Sequence, residues 1–186
     1  MATPGIPITD KTLANLQAAF NGESNANAKY MTFAAKADQD GYHQAASLFR
    51  AAARAEQIHA AAHARVIRKM GAEPVANIES PHIGTTAENL KVAIAGETYE
   101  RDVMYPGFIE EAEAAKNAAA VRTFHNALEA EKEHARLYTL ALENLEKMKS
   151  KAVYFVCAIC GYTVEKKNFE RCPVCNAPGE KFEEIS

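Results

Sequence analysis

Two stretches of the chain carry a carboxylate and an imidazole three residues apart, Glu56-x-x-His59 and Glu131-x-x-His134. On a helix that spacing puts both groups on one face, one turn apart, where they can reach a single cation. With 20 Glu in 186 residues, six His would meet this spacing by accident about 0.6 times, and it occurs three times. The third instance, Glu79-x-x-His82, sits beside Pro81, which prevents a helix, and is set aside. The other two are copies of one another. Ala55-Glu56-x-x-His59-Ala60 recurs further along the chain as Ala130-Glu131-x-x-His134-Ala135, and Gly22-Glu23-Ser24 recurs at nearly the same offset as Gly96-Glu97-Thr98. Glu100 lies one turn beyond Glu97 on the same face.

Glu23, Glu56, Glu97, Glu100, Glu131, His59 and His134 are therefore expected to converge on one interior. Burying five anions without compensation is prohibitive, and two divalent or trivalent cations would compensate them. Oxygen-rich ligation with two imidazoles and no thiolate suits iron or manganese better than zinc. Gly22 and Gly96 each cost about 1 kcal/mol in a helix relative to Ala, which implies close backbone approach at the site. Tyr30, in the same helix as Glu23 and two turns on, and Tyr105, shortly after Glu100, are expected to face inward and to hydrogen-bond the ligating carboxylates. His43, His63 and His125 have no comparable company and read as structural or solvated histidines.

All four cysteines lie near the end of the chain, as Cys157-x-x-Cys160 and Cys172-x-x-Cys175 with the stretch from Gly161 to Arg171 between the pairs. This is the spacing of a tetrahedral tetrathiolate site. Disulfides are the alternative, and they fail in a reducing compartment. A segment of about 35 residues with few core positions also needs a metal to fold. Gly161 supplies the unrestricted backbone that a turn around the first metal–sulfur pair requires, and Asn176 tolerates the same conformation after the second. Sulfur ligation accepts both zinc and iron, so a zinc ribbon and a one-electron iron centre both remain open.

The elements that must position these groups are helices. Of 37 Ala, 34 lie in residues 1–150, with apolar residues at three- and four-residue spacing. The pattern predicts a first helix from Thr9 or Asp10 to Gly41, a second from Tyr42 to Met70, a crossover over 71–85, a third helix from the Thr85–Glu88 capping box to Ala114 with a kink at Pro106-Gly107, and a fourth from Lys116 to Lys149. Helices of nearly 30 residues are about 45 Å long and must lie side by side. The expected fold is mainly α: a four-helix bundle with one long crossover over residues 1–149, then a small metal-knuckle domain over 150–186. A net charge of -3 leaves no basic excess for nucleic acid. No stretch of about 18 apolar residues offers a membrane span, and Met1–Gly5 lacks a signal-peptide pattern. A cytoplasmic protein is expected.

Taken in order, Gly22-Glu23-Ser24, Glu56-x-x-His59, Gly96-Glu97-x-x-Glu100, Glu131-x-x-His134 and the Cys157–Cys175 knuckles cover residues 10–186, and the whole resembles the rubrerythrin family. The resemblance implies a ferritin-like di-iron bundle followed by a rubredoxin-like domain with a third iron, zinc being a substitute at either site. It implies that Glu56 and Glu131 bridge two irons, that Glu23 and His59 serve one and Glu97 and His134 the other, and that Glu100 exchanges with His59 as the redox state changes. On that footing Glu100, His59, Tyr30 and Tyr105 form the catalytic set of a peroxidase that reduces hydrogen peroxide to water, while Cys157, Cys160, Cys172 and Cys175 hold a relay fed by a reductase or rubredoxin. It implies a head-to-tail homodimer in which the relay of one subunit serves the other, since the Ser150-Lys151-Ala152 linker looks too short to fold back along a helix of about 45 Å. Asn176 departs from the Gly usual at its position. A ferritin-type iron store and a non-enzymatic zinc-ribbon module are the competing readings.

Overall fold

The computed structural model describes residues 10–186; Thr9 as a cap and the Met1–Gly5 segment lie outside the described residues. Helix α1 (Lys11–Gln39) opens on Asp10, whose side chain accepts from the Leu13 N–H, so the cap is the Asp alternative. Gly41, at φ +83°, ends it. Helix α2 (His43–Lys69) stops before Gly71, again at φ +83°.

The crossover then runs back along α1. Gln17, Asn21 and Asn25, spaced four apart on one face of α1, present amides that bond its backbone: Gln17 to Glu73 O (2.6 Å) and the Val75 N–H, Asn21 to the Asn77 N–H (2.7 Å), and Asn25 to Asn77 O (2.9 Å) and the Glu79 N–H (2.9 Å). This row of amides replaces the strand partner that an extended segment lacks.

Helix α3 (Thr86–Tyr99) opens on the expected Thr85–Glu88 capping box. The single kinked helix expected to Ala114 is corrected. A π-helical turn, Glu100–Met104, intervenes, and α4 (Tyr105–Ala114) follows with Pro106 in its first turn. Pro106 has no N–H to donate and its ring crowds the carbonyl four residues back, so the widening falls before it. The last helix, expected over Lys116–Lys149, is shorter. Lys116 sits at φ 55°, the Asn117 side chain caps α5 (Ala118–Glu143), and Leu145–Lys147 is a separate 3-10 turn.

The interior is built from small and aromatic residues. Ala45, Ala46, Ala51, Ala52, Ala53 and Ala55 are fully buried on α2 and let neighbouring helices approach, while Tyr30, Phe33, Phe49 and Tyr138 fill one end and Tyr105, Phe108 and Phe124 the other. The carboxylate and histidine side chains of interest lie between these two cores.

After the helices, β1 (Tyr154–Cys157) is the centre of a three-stranded antiparallel sheet flanked by β2 (Thr163–Val164) and β3 (Phe182–Ile185). Tyr154 and Val156 of β1 join the bundle core, Arg54 of α2 forks onto Glu183 (2.7 and 2.9 Å), and Arg50 donates to Ser186 O (2.7 Å). The cysteine domain therefore lies on the bundle of its own chain. This corrects the premise that the linker is too short for the knuckle to return to its own bundle. The distance to cover is from the middle of α5, at His134, to its end at Glu143, about 14 Å rather than a full helix. Contact between knuckle and bundle needs no second subunit.

Asn25→Ala removes two rungs of the amide row at an expected cost of about 1–2 kcal/mol. Amide hydrogen exchange at Glu79 should accelerate while exchange in the buried half of α2 changes only by the global loss; unchanged protection at Glu79 would discount the row.

Candidate metal centre

Each helical stretch of the bundle sends side chains to its middle: Glu23 from α1, Glu56 and His59 from α2, Glu97 from α3, and Glu131 and His134 from α5. All four carboxylates and His134 are fully buried, and His59 is 2% exposed. They form two overlapping sets, Glu23–Glu56–His59–Glu131 and Glu56–Glu97–Glu131–His134, with the donor atoms of each set within 4.8 Å of one another. Glu56 and Glu131 belong to both sets, and each set adds one further carboxylate and one imidazole of its own. These six of the seven residues expected to converge do so.

Glu100 does not join them. It begins the π turn, is half-buried, and belongs to neither set. The gap left by that turn is visible in the duplication. Glu23 corresponds to Glu97 and Tyr30 to Tyr105, yet the second pair of partners stands one position further apart than the first, so one residue is inserted between Thr98 and Tyr105, where the helix widens to take it. The change of offset was the available signal.

Both phenols face the cage as expected. Tyr30 donates to Glu97 Oε1 (2.6 Å) and Tyr105 donates to Glu23 Oε1. The two helical glycines do not serve the purpose inferred for them. A Cβ at Gly22 would meet nothing within 4 Å, and at Gly96 only the Tyr30 hydroxyl at 3.9 Å; nothing in the structure explains their presence. Of the three histidines read as bland, His43 pairs with Asp38 at the surface (2.8 Å) and His125 is exposed, but His63 is fully buried against the cage, 3.1 Å from the Tyr105 hydroxyl and 3.8 Å from Glu23 Oε1. Its place four residues after His59, on the same face, was the missed signal.

The orientation of both imidazoles comes from the cysteine domain. His59 turns Nδ1 to the cage, 2.9 Å from Glu56 and 3.1 Å from Glu131, and its Nε2–H donates to Cys160 O (3.0 Å). His134 turns Nδ1 to the cage, 2.8 Å from Glu131, and its Nε2–H donates to Thr163 Oγ1 (3.1 Å), whose hydroxyl in turn donates to Gly161 O (2.9 Å). Fixing Nε2–H fixes Nδ1 as the donor toward the cage. Gly161 is required here twice over: it sits at φ +79°, and a Cβ on it would overlap His59 Nε2.

Protons alone can balance the cage. Burial would push Glu56 up, but its bonds and charge attraction to His134 and His59 hold it below the usual carboxylate range. Glu131 is held low as well, against burial and the charge of Glu56, by the two histidines. Burial opposes a charge on His59, yet Glu131 and Glu56 raise it to about 10; His134 is raised by Glu97, Glu131 and Glu56 against the same opposition. Burial and then like charge push Glu23 and Glu100 well up; burial takes Glu97 to about 8 even though His134 opposes the rise. Two imidazolium ions thus offset two carboxylates, and the remaining carboxyls keep their protons. The hydrogen bonding is nevertheless incomplete. Glu23 Oε2, Glu56 Oε1, Glu97 Oε2 and both Glu131 oxygens are buried without a well-aligned hydrogen bond among the described residues, the approaches of His59 and His134 to Glu56, Glu97 and Glu131 being ion-pair contacts. Buried acceptors left unpaired in a ring suit a pair of cations, and the donor set of four carboxylates and two imidazoles fits iron.

In the C-terminal domain, the sulfurs of Cys157 and Cys175 are 3.7 Å apart and those of Cys160 and Cys172 3.6 Å. These are close to the edge, roughly 3.8 Å, of a tetrahedron with metal–sulfur bonds of about 2.3 Å, and too long for disulfides. Asn176, at φ 60°, follows the second knuckle where Gly161 follows the first, and each donates its N–H to the carbonyl of the opening cysteine of its knuckle.

Residues 14–142 match the rubrerythrin family model, and residues 155–183 match that of the rubrerythrin rubredoxin-like domain. The chain belongs to the rubrerythrin family. Among curated relatives it is 38% identical to nigerythrin from Nitratidesulfovibrio vulgaris, over 92% of this chain and 85% of that one, and 36% identical to rubrerythrin from Porphyromonas gingivalis, over 93% and 89%. The structure of fully reduced, all-ferrous nigerythrin superposes with a TM-score of 0.87 at 36% identity, covering 99% of this chain and 91% of that one. A bacterioferritin from Desulfovibrio desulfuricans, 20% identical with a TM-score of 0.68 over 75% of this chain and 82% of that one, shares the ferritin-like fold of the bundle. In this rubrerythrin the di-iron carboxylate–histidine site and the four-cysteine knuckle occur together.

Because cations must displace protons from the rubrerythrin cage, metal uptake should release protons and should tighten as pH rises through about 8 and toward 10, the values for Glu97 and His59. Calorimetry of ferrous iron binding to the metal-free bundle in buffers of different ionisation heat measures the release; an affinity independent of pH between about 6 and 9 would contradict the protonated cage.

Proposed function

We propose that this rubrerythrin-family protein is a non-haem di-iron peroxidase that converts hydrogen peroxide, two electrons and two protons into two molecules of water, with the electrons relayed one at a time through a tetrathiolate iron. The observation that carries this reading is the 3.0 Å contact of His59 Nε2 with Cys160 O, which joins a one-electron metal knuckle directly to a residue of the buried cage. A store of iron has no use for that junction, and a zinc ribbon has no electrons to send along it.

In this reading Glu56 and Glu131 would hold both irons, Glu23 and His59 one, and Glu97 and His134 the other. When bound, a ferrous pair supplies both electrons at once, so that the O–O bond breaks without release of a hydroxyl radical. The chain's own groups set the conditions. Tyr30 and Tyr105 fix the two terminal carboxylates by hydrogen bonds. Aromatic cores on either side exclude bulk water from the cage. Glu100, half-buried in the widened geometry of a π turn, holds a proton beside the cage, its carboxyl pushed up by burial and by Glu97. Were the cage loaded, Glu100 would be the carboxyl available to exchange with His59 or to pass its proton inward.

Electrons enter at the opposite side of the knuckle. Cys157, Cys160 and Cys172 are buried, whereas Cys175 is half-exposed in an open cleft walled by Val121, Arg122, His125, Ile159 and Val174. A reductase or rubredoxin docks there as donor, the electron leaving toward Cys160 and His59. Tetrathiolate iron keeps its coordination on cycling, which suits a relay. The functional units are residues 1–149 and 150–186; zinc at either site would silence it. The protein acts in the cytoplasm, among soluble donors, and no helix of the described residues is long and apolar enough to cross a membrane. A head-to-tail homodimer would add to the relay already present within each chain.

Anaerobic reduction followed by stopped-flow mixing with hydrogen peroxide should oxidise the cage irons rapidly and dioxygen should do so slowly; the reverse order of rates would overturn the peroxidase reading. Cys160→Ser should abolish turnover supported by an external donor while a single turnover of the pre-reduced bundle survives. Glu100→Ala should retain all three irons yet slow peroxide turnover, and an unchanged rate would remove Glu100 from the reaction.

A further inference from the structure

The duplication matches Tyr105 to Tyr30 and Tyr138 to His63, both at the offset that relates Glu131 to Glu56. Up to the phenols the two halves of the cage agree, each hydroxyl donating to the terminal carboxylate of its half. Beyond the phenols they diverge. Behind Tyr30 stands Tyr138, its ring centroid 5.5 Å away and its hydroxyl without a partner among the described residues. Behind Tyr105 stands His63, fully buried, with Nε2 3.1 Å from the Tyr105 hydroxyl and Nδ1 3.1 Å from Thr123 Oγ1.

Counting hydrogens gives this chain of contacts a direction. The phenol has one hydrogen, and Glu23 takes it. The ring must therefore donate from Nε2 to the phenol oxygen. Neither ring nitrogen is hydrogen-bonded to a carboxylate, the nearest being Glu23 Oε1 at 3.8 Å, so nothing stabilises a second ring hydrogen. Nδ1 is left to accept from the Thr123 hydroxyl. Thr123 to His63 to Tyr105 to Glu23 Oε1 runs one way, each contact pairing one donor with one acceptor. A phenol that accepts a hydrogen bond is also a better donor to the next group along.

We propose that His63 is a positioning residue that holds the Tyr105 hydrogen on Glu23, and that this hold, confined to one half of a duplicated cage, makes the two cation seats inequivalent. Occupancy of the Glu23–His59 seat depends on His63, and occupancy of the Glu97–His134 seat does not. This rests on the cage being a cation site, but the hydrogen-bond chain itself can be read without any metal in the bundle.

The test uses the full chain with zinc in the cysteine site. In the metal-free bundle, nitrogen–proton correlation spectra should show His63 as the Nε2–H tautomer; the Nδ1–H tautomer would overturn the proposal. In a cobalt(II) titration followed by ligand-field absorption, His63→Leu should weaken one of two binding steps by about 10- to 100-fold and leave the other within about twofold. His63→Gln, whose amide can donate to the phenol, should recover most of the loss, and Tyr138→Phe should alter neither step. Equal loss at both steps, or none, would overturn the assignment. Should His63→Leu fail to fold, Tyr105→Phe carries the test through the tautomer spectrum, since without the phenol oxygen to accept from Nε2 the single Nε2–H form should be lost. A wild-type bundle that takes up no cobalt would sink the cation-site reading, while the tautomer still decides the role of His63.

Discussion

Four carboxylates crowded within 4 Å of two imidazoles, in a space walled by alanine and aromatic rings, is the constraint to which the rest of the structure answers. Anions in such surroundings repel one another and lack water, so each must be paired, protonated or coordinated. The chain meets this with two imidazolium partners and with protons retained on the other carboxyls, and it leaves several acceptor atoms facing inward with nothing to accept. That residual want is what makes the interior a seat for cations rather than merely a buried polar cluster. The long helices, the alanine faces and the capping groups are the means of bringing six side chains from four distant stretches to one place.

Most of this was legible in the sequence, because its signal is a spacing and a repeat. Glu-x-x-His twice, at corresponding places, specifies helix, face and mutual position at once, and the capping box at Thr85 and the glycines at 41 and 71 mark where helices begin and end. What was not legible has a common character. The π turn at Glu100–Met104 is a competition between a proline ring and a hydrogen-bond ladder, and periodicity describes helices without describing where they yield. Only the single-position change in the repeat offset records it. The amide row of Gln17, Asn21 and Asn25 looks like ordinary polar surface until the crossover is laid against it. His63 was passed over because its importance lies in Tyr105, on a different helix, and not in a motif of its own.

The judgement of the linker's reach failed for a geometric reason. A helix of the last segment is long, but the cage sits at its middle, and the returning strand has only part of it to cover. Arg50 and Arg54 of α2 then meet the C-terminal strand, and Tyr154 fills the bundle core, so that the two modules share one apolar interior as well as an ionic seam.

Both cage histidines take their outer hydrogen bonds from the C-terminal module, at Cys160 and Thr163, and this binds maturation to assembly. Without that module the rings keep only their inner contacts to Glu56 and Glu131, and nothing holds the outer nitrogen. The seated knuckle thereby shares in shaping the larger cavity, since it supplies the outer partner of each imidazole. Exchange of the tail between related proteins would then transplant more than a conduit, because the incoming piece would also carry the template against which the recipient's imidazoles are aligned.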